Sequence, residues 1–213
     1  MGNQSVLSNE TRDRLRDVAR PVALGLGRLG FTPNALTLIG FVGTCSAAAA
    51  AAAGWWLTAG ILVIAFGIFD MLDGALARAT GRTSQFGAFL DSTLDRTGES
   101  LVLAGVAYGA AAAAYPVIAG LAATAIAFAS VVTYARAKAE AVGVRGDVGL
   151  APRPERLVIL AVGLALATLS WTSENQLARG STWLAVALGL IAVLSAITVV
   201  QRILSVRGQL EAK

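Results

Sequence analysis

Histidine is absent from the 213 residues, cysteine occurs once, and charged side chains make up only 14% of the chain. Each shortage excludes something. Without histidine, the commonest general base and the commonest zinc ligand are gone, so acid–base or metal chemistry falls to Asp, Glu, Lys, Arg or Tyr. A lone Cys45 inside an apolar run builds no disulfide framework and reads as a small packing residue. Soluble domains carry about 25% charged residues. A chain with far fewer, and with 56% hydrophobic residues, is built for a solvent other than water.

What the chain has instead is long apolar runs, at 35–53, 57–69, 101–114, 117–132, 157–169 and 182–200. About 20 largely apolar residues cross the hydrocarbon core. With their polar ends included, these runs predict six transmembrane helices, an all-α polytopic membrane protein forming one domain over residues 1–213. The first run does not read as a signal peptide, because about thirty polar or mixed residues precede it and no small-residue cleavage site follows a short core. Residues 8–28, where Arg12, Asp13, Arg14, Arg16, Asp17 and Arg20 alternate with Leu15, Val18 and Ala19, predict an amphipathic juxtamembrane helix lying in the interface.

Polar loops are expected at 80–84, 142–154 and 172–180. The N-terminus, the first two of these loops and the C-terminus hold nearly all the Arg and Lys, while the opposite side holds only Arg179. The positive-inside rule puts both termini and the basic loops in the cytoplasm of a multi-pass cell-membrane protein. The net charge of +4 fits attraction to anionic lipid. No basic patch is interleaved with exposed aromatics, so nucleic acid is not an expected partner.

Against this background, four acids stand out. Charges inside a span cost roughly 2.5–3.5 kcal/mol each, yet the second span contains Asp70 and Asp73 and the third contains Asp91 and Asp95. Asp70, Asp73, Gly74, Ala77 and Arg78 fall at i, i+3, i+4, i+7 and i+8, one face of a helix. Gly87, Asp91 and Asp95 fall at i, i+4 and i+8, again one face. A connection of about five residues makes the two helices antiparallel neighbours, with the four acids at similar depth near the cytoplasmic end. Four carboxylates from two facing helices suit a divalent-cation cage, and all-oxygen ligands point to Mg²⁺, Mn²⁺ or Ca²⁺. Gly74, Ala77 and Gly87 keep the floor clear, and Arg78 supplies positive charge for a metal-bound diphosphate.

Two other readings compete. The acids could simply pair with Arg78, Arg82 and Arg96, or they could mark a cation transporter or proton relay. A transporter predicts helices broken near the midplane, whereas these acids lie at the ends of unbroken runs. Glu99, one turn beyond Asp95, is expected to pair with Arg96, with orientation of a ligand as the alternative.

The stretch Asp70-Met71-Leu72-Asp73-Gly74-Ala75-Leu76-Ala77-Arg78, followed after eight residues by Gly87, then Asp91 and Asp95 at steps of four, resembles the signature of the CDP-alcohol phosphotransferases at every fixed position. Six spans with the motif across the second and third extend the resemblance over essentially the whole chain. It implies two ions, usually Mg²⁺ or Mn²⁺, held by Asp70, Asp73, Asp91 and Asp95, with Asp95 also acting as general base on the attacking hydroxyl. It implies contacts to CDP-diacylglycerol from Thr32, Pro33, Asn34 and Ala35 at the start of the first span, and from Asp73, Gly74, Ala77, Arg78 and Ser84. It also implies a homodimer.

A second polar cluster lies at the cytoplasmic ends of the last three spans: Arg136, Lys138, Arg145, Arg153, Arg156 and Arg202. Such a concentration of cations suits a phosphorylated alcohol as acceptor. The residues around Tyr134–Ala141, Gly143–Asp147, Arg153–Arg156 and Gln201-Arg202 resemble the actinobacterial phosphatidylinositol-phosphate synthases. On that resemblance the acceptor is inositol phosphate, and Arg136, Arg153 or Arg156, and Arg202 hold its phosphate, with Lys138 beside them. The alternative within the family is a phosphatidylglycerophosphate synthase using glycerol 3-phosphate.

Overall fold

The computed structural model describes residues 21–150, 152–169 and 176–212. Among them every regular element is a helix. A segment at 21–28, α1, is followed by α2 (Pro33–Ala52), α3 (Trp56–Thr80), α4 (Gln85–Ala112), α5 (Pro116–Ala141), α6 (Arg153–Leu169) and α7 (Gln176–Glu211). The expected juxtamembrane helix over 8–28 is helical in its last eight residues; the rest of it lies outside the described residues.

Local chemistry sets the boundaries. Thr32 caps α2, its hydroxyl accepting from the Ala35 N–H, and Pro33 supplies the preset first turn. Gly81 ends α3 in the left-handed region at φ 67°, where its N–H and that of Arg82 return to the Ala77 carbonyl. Three residues later Ser84 caps α4 through the Gly87 N–H. Pro116 starts α5.

Two boundaries differ from expectation. Residues 176–180, expected in a loop, are already helical. The last helix runs well past the apolar stretch that ends at 200, to Glu211, because its end is tied down. Gln209 accepts from the Arg145 N–H and donates to the Arg145 carbonyl, both at 2.9 Å, and Arg207 pairs with Glu211.

The six long helices close a ring. α2 packs on α3 and α4, α7 packs on α5 and α6, and the two halves join through α3 against α6 and α4 against α5. The expectation that α3 and α4 are packed neighbours is corrected here: both pack on α2 instead. Small residues make α2 a close wedge for both. A Cβ added to Gly105 of α4 would strike the Ala48 carbonyl oxygen, and one on Gly109 would meet the Ala51 carbonyl and stand 2.9 Å from Trp56 Cη2. On the far seam, a Cβ on Gly60 would stand 3.1 Å from the Ala161 oxygen of α6. The core follows these contacts, with Ala47, Ala51, Val102, Val106, Ala122 and Leu164 wholly buried.

The outside is apolar. Val42, Ile61, Val117, Val193 and Val200 are all more than half exposed, which fits lipid rather than water. α2, α3, α5 and residues Thr182–Glu211 of α7 are long and apolar enough to cross a membrane. α4 is interrupted by Asp91, Asp95, Arg96 and Glu99, and the described part of α6 is 17 residues long.

Gly109→Leu is expected to destabilise the protein by about 1–3 kcal/mol or more, since it overpacks a backbone contact. Gly120→Leu, at a position with nothing within 4 Å, is expected to change stability by about 0.5 kcal/mol or less. Thermal unfolding of both variants in detergent, followed by circular dichroism, checks the contrast.

Candidate active site

Because α3 and α4 diverge from their short loop onto opposite sides of α2, a gap opens between them. It holds a cavity of about 210 Å³ lined by Pro33, Asn34 and Thr37 of α2, by Asp73, Gly74, Ala77 and Arg78 of α3, by Arg82, Thr83 and Ser84 of the loop, and by Gly87, Ala88 and Asp91 of α4. Seven residues singled out as nucleotide contacts, Pro33, Asn34, Asp73, Gly74, Ala77, Arg78 and Ser84, therefore face one space. Thr32 and Ala35 do not line it and instead make the cap of α2.

The small residues let polar groups converge. The Arg78 side chain folds back one turn over Gly74, where an added Cβ would lie 3.2 Å from its guanidinium. A Cβ on Gly87 would crowd Ser84 Oγ at 3.0 Å and Asn34 Oδ1 at 3.1 Å. Arg78 is thus draped along the stripe that it shares with Asp70, Asp73 and Gly74. Thr37, Thr83 and Ala88 were not singled out by sequence, and Arg82 only as an alternative partner of the acids. Thr37 had a signal, since it lies one turn beyond Pro33 on the same helix face.

At the inner end of the gap, Asp70, Asp91 and Asp95 bring carboxylate oxygens within 4.8 Å of one another. Asp73 lies outside this group: it is buried and accepts from the Thr37 hydroxyl at 2.5 Å. The convergence is therefore three carboxylates with a fourth close by, rather than four equivalent ones. Such a set, all hard oxygen donors and half-buried, fits Mg²⁺ or Mn²⁺. Its pull on positive charge is visible in the structure: the Arg153 guanidinium bridges Asp70 Oδ2, at 2.6 Å, and Asp95 Oδ2 through one nitrogen.

The other predicted cations are placed apart. Arg156 is buried and grips Glu99 bidentately, Nε to Oε1 at 2.6 Å and Nη2 to Oε2 at 2.7 Å. Glu99 was expected to pair with Arg96, and that is corrected. Glu99 follows Asp95 by a full turn and points inward, while Arg96, one residue along, turns away and donates to the Ser92 carbonyl. Arg202 donates to the carbonyls of Val148, at 2.9 Å, and Val132, tying α7 to the loop before α6 and to α5. Arg136 pairs with Glu140 on the surface, and Lys138 is exposed. Arg136, Arg156 and Arg202 thus stand on three different helices, α5, α6 and α7, each with partners of its own.

Comparison with known proteins bears on this geometry. The sequence profile of the CDP-alcohol phosphatidyltransferase family matches residues 31–198, which include the cavity, the carboxylates and both arginines of α6. A phosphatidylinositol phosphate synthase of Mycolicibacterium smegmatis is 38% identical over 204 residues, covering 92% of this chain and 87% of the relative. The crystal structure of Mycobacterium tuberculosis phosphatidylinositol phosphate synthase with CDP-DAG bound aligns with a TM-score of 0.79 at 34% identity, over 89% of this chain and 94% of that one. The same enzyme in complex with manganese and citrate also gives a TM-score of 0.79 at 34% identity, covering 88% of each chain.

Breaking the buried Glu99–Arg156 pair leaves one charge without its partner. Glu99→Ala is therefore expected to cost about 3–5 kcal/mol of stability, whereas Glu99→Leu combined with Arg156→Met costs much less than the two single changes added together. Unfolding midpoints of the singles and the double in detergent measure the coupling.

Proposed function

The chain belongs to the CDP-alcohol phosphatidyltransferase family, and from that premise we propose that it transfers the phosphatidyl group of CDP-diacylglycerol to inositol phosphate, releasing CMP and forming phosphatidylinositol phosphate. The observation that carries this reading is the cavity between α3 and α4, which ends on a carboxylate cluster and is lined by Arg78, Asn34 and Ser84. The acceptor is supported by the identity to phosphatidylinositol phosphate synthases and by the basic groups of α5, α6 and α7.

In this reading two ions, Mg²⁺ or Mn²⁺, are held by Asp70, Asp73, Asp91 and Asp95. When bound, they supply Lewis-acid charge that neutralises the diphosphate and stabilises the departing CMP. The protein's own groups do the rest. Arg78, folded over Gly74, offers a planar fork to phosphate oxygens. Asn34, Ser84 and the cap at Thr32-Pro33-Asn34-Ala35 orient the nucleotide, and Gly74, Ala77 and Gly87 keep side chains out of its path. Asp95, at the inner end and nearest the basic side, accepts the proton of the attacking acceptor hydroxyl. The acceptor phosphate is taken by Arg136, Lys138, Arg153 and Arg202, with Arg156 joining from its anchorage on Glu99.

We further propose six spans, α2 to α7, in one domain over residues 1–213 that works as a homodimer. α4 and α6 join the four apolar helices, and the polar first half of α4 is accounted for by the site. Residues 8–28 would lie along the interface. Arg78, Arg82, Arg145, Arg153, Arg156 and Arg207 gather at one end, which supports a cytoplasmic site and cytoplasmic termini.

Purified protein given CDP-diacylglycerol and Mg²⁺ is expected to release CMP with inositol phosphate and not with glycerol 3-phosphate. The opposite preference would overturn the acceptor assignment, and no release with any acceptor would revive a cation transporter. Asp95→Asn is expected to abolish turnover, by about 100-fold or more for a lost general base, while the protein keeps its elution volume and helicity.

A further inference from the structure

Arg153 holds a place that the reaction needs for something else. Its guanidinium lies across Asp70 and Asp95, two of the three carboxylates whose oxygens converge tightly enough to ligate an ion. The space left around it, bounded by Thr37, Thr44, Phe66, Asp70, Asp95 and Arg153 itself, is about 20 Å³, room for about one water. A seated guanidinium and a hydrated divalent cation therefore cannot both occupy this end of the cluster. They require the same oxygens and the same volume.

The seat also leaves the arginine incompletely satisfied. Its Nε is buried without a hydrogen-bond partner, although every N–H of a buried guanidinium calls for an acceptor. By contrast, Arg156, one turn along α6, is engaged bidentately by Glu99, so α6 is anchored independently of Arg153. The arginine is the first residue of its helix and follows Pro152 and the loop, a position from which a long side chain can swing without unravelling a turn.

We propose that Arg153 is an internal counter-cation that competes with the divalent metal for the Asp70–Asp95 oxygens. It neutralises the cluster until metal arrives. Metal loading then expels it toward the neighbouring basic surface, where an anionic acceptor would meet it. The competition rests on the metal-site reading given above and not on which alcohol is the acceptor. It makes Arg153 a residue that weakens metal binding while protecting the metal-free protein.

Manganese binding to the full-length protein in detergent, without substrates, tests this by counting free Mn²⁺ with electron paramagnetic resonance. Arg153→Ala is expected to bind Mn²⁺ about fivefold tighter or more than the unaltered protein, a coupling of ordinary size for two linked sites. Arg153→Lys, which keeps the charge but carries it on a compact, strongly hydrated ammonium, should fall between them. Without metal, Arg153→Ala should unfold at a lower temperature and gain more from added Mn²⁺. A merely structural role for Arg153 predicts weaker metal binding on its removal. Equal or weaker affinity in Arg153→Ala overturns the proposal, and if that variant aggregates, equal or weaker affinity in Arg153→Lys does so. Failure of all three proteins to bind Mn²⁺ would sink the metal-site reading along with it. CMP release with inositol phosphate alongside unchanged affinities would sink the competition alone.

Discussion

Carboxylates set among apolar helices must be neutralised, and the rest of this structure is arranged around that requirement. Asp95 and Glu99 stand one turn apart on α4. Arg153 and Arg156 stand one turn apart on α6. The pairs meet as Asp95 with Arg153 and Glu99 with Arg156. α4 and α6 are not packed neighbours in the ring, since α4 lies between α2 and α5, and α6 between α3 and α7. Two rungs of charge therefore cross the interior and join the halves where side-chain packing does not. The inner rung is buried and doubly hydrogen-bonded, so it acts as a strut. The outer one is partly open and shares Asp70, so it can be exchanged. One turn of helix separates a structural use of charge from a chemical one.

The second constraint is thinness. Transmembrane helices associate without a hydrophobic drive between them, so their backbones must come close. Glycines at 105 and 109 bring α4 onto the carbonyl edge of α2, and Gly60 brings α3 onto α6. Seating both α3 and α4 on α2 prevents them from closing on each other. The cavity is thus the space that this packing leaves, and its floor stays open only because Gly74 and Gly87 add no side chain to it. The same residue type supplies contact where helices touch and clearance where a ligand must pass.

Much of this was legible in the sequence, for a stated reason. Positions along a helix face are fixed by a period of 3.6, so the stripes Asp70–Arg78 and Gly87–Asp95 could be read directly. Relations between helices are not periodic, and those were missed. A short loop suggested that α3 and α4 pack together, but the glycines of α4 turned out to face α2. Glu99 was given a nearby partner in sequence, Arg96, when the real one lies 57 residues away on another helix. Asp73 counted equally with the other three acids until its bond to Thr37 set it apart. The basic residues were grouped by composition, yet Arg202 spends its hydrogen bonds on carbonyls and Arg136 on Glu140.

The ring divides the proposed chemistry between its halves. α2, α3 and α4 make the nucleotide cavity, and α5, α6 and α7 bring the arginines. A donor held by one half and an acceptor held by the other meet at the seam, where the carboxylates lie. A phosphoryl group passing from a leaving group to an attacking oxygen needs the two on opposite sides of it, and a site between two half-rings provides opposite sides without any helix having to break. Asp95 and Arg153 sit on this seam from opposite directions. On this reading the donor cavity is lined through glycines and fixed caps because the nucleotide is always the same. The proposed acceptor side draws on arginine and lysine side chains of α5, α6 and α7, of which Arg136 and Lys138 are exposed. On this reading a change of acceptor would fall on the cations of α5, α6 and α7, while the carboxylates and their glycines stay where they are.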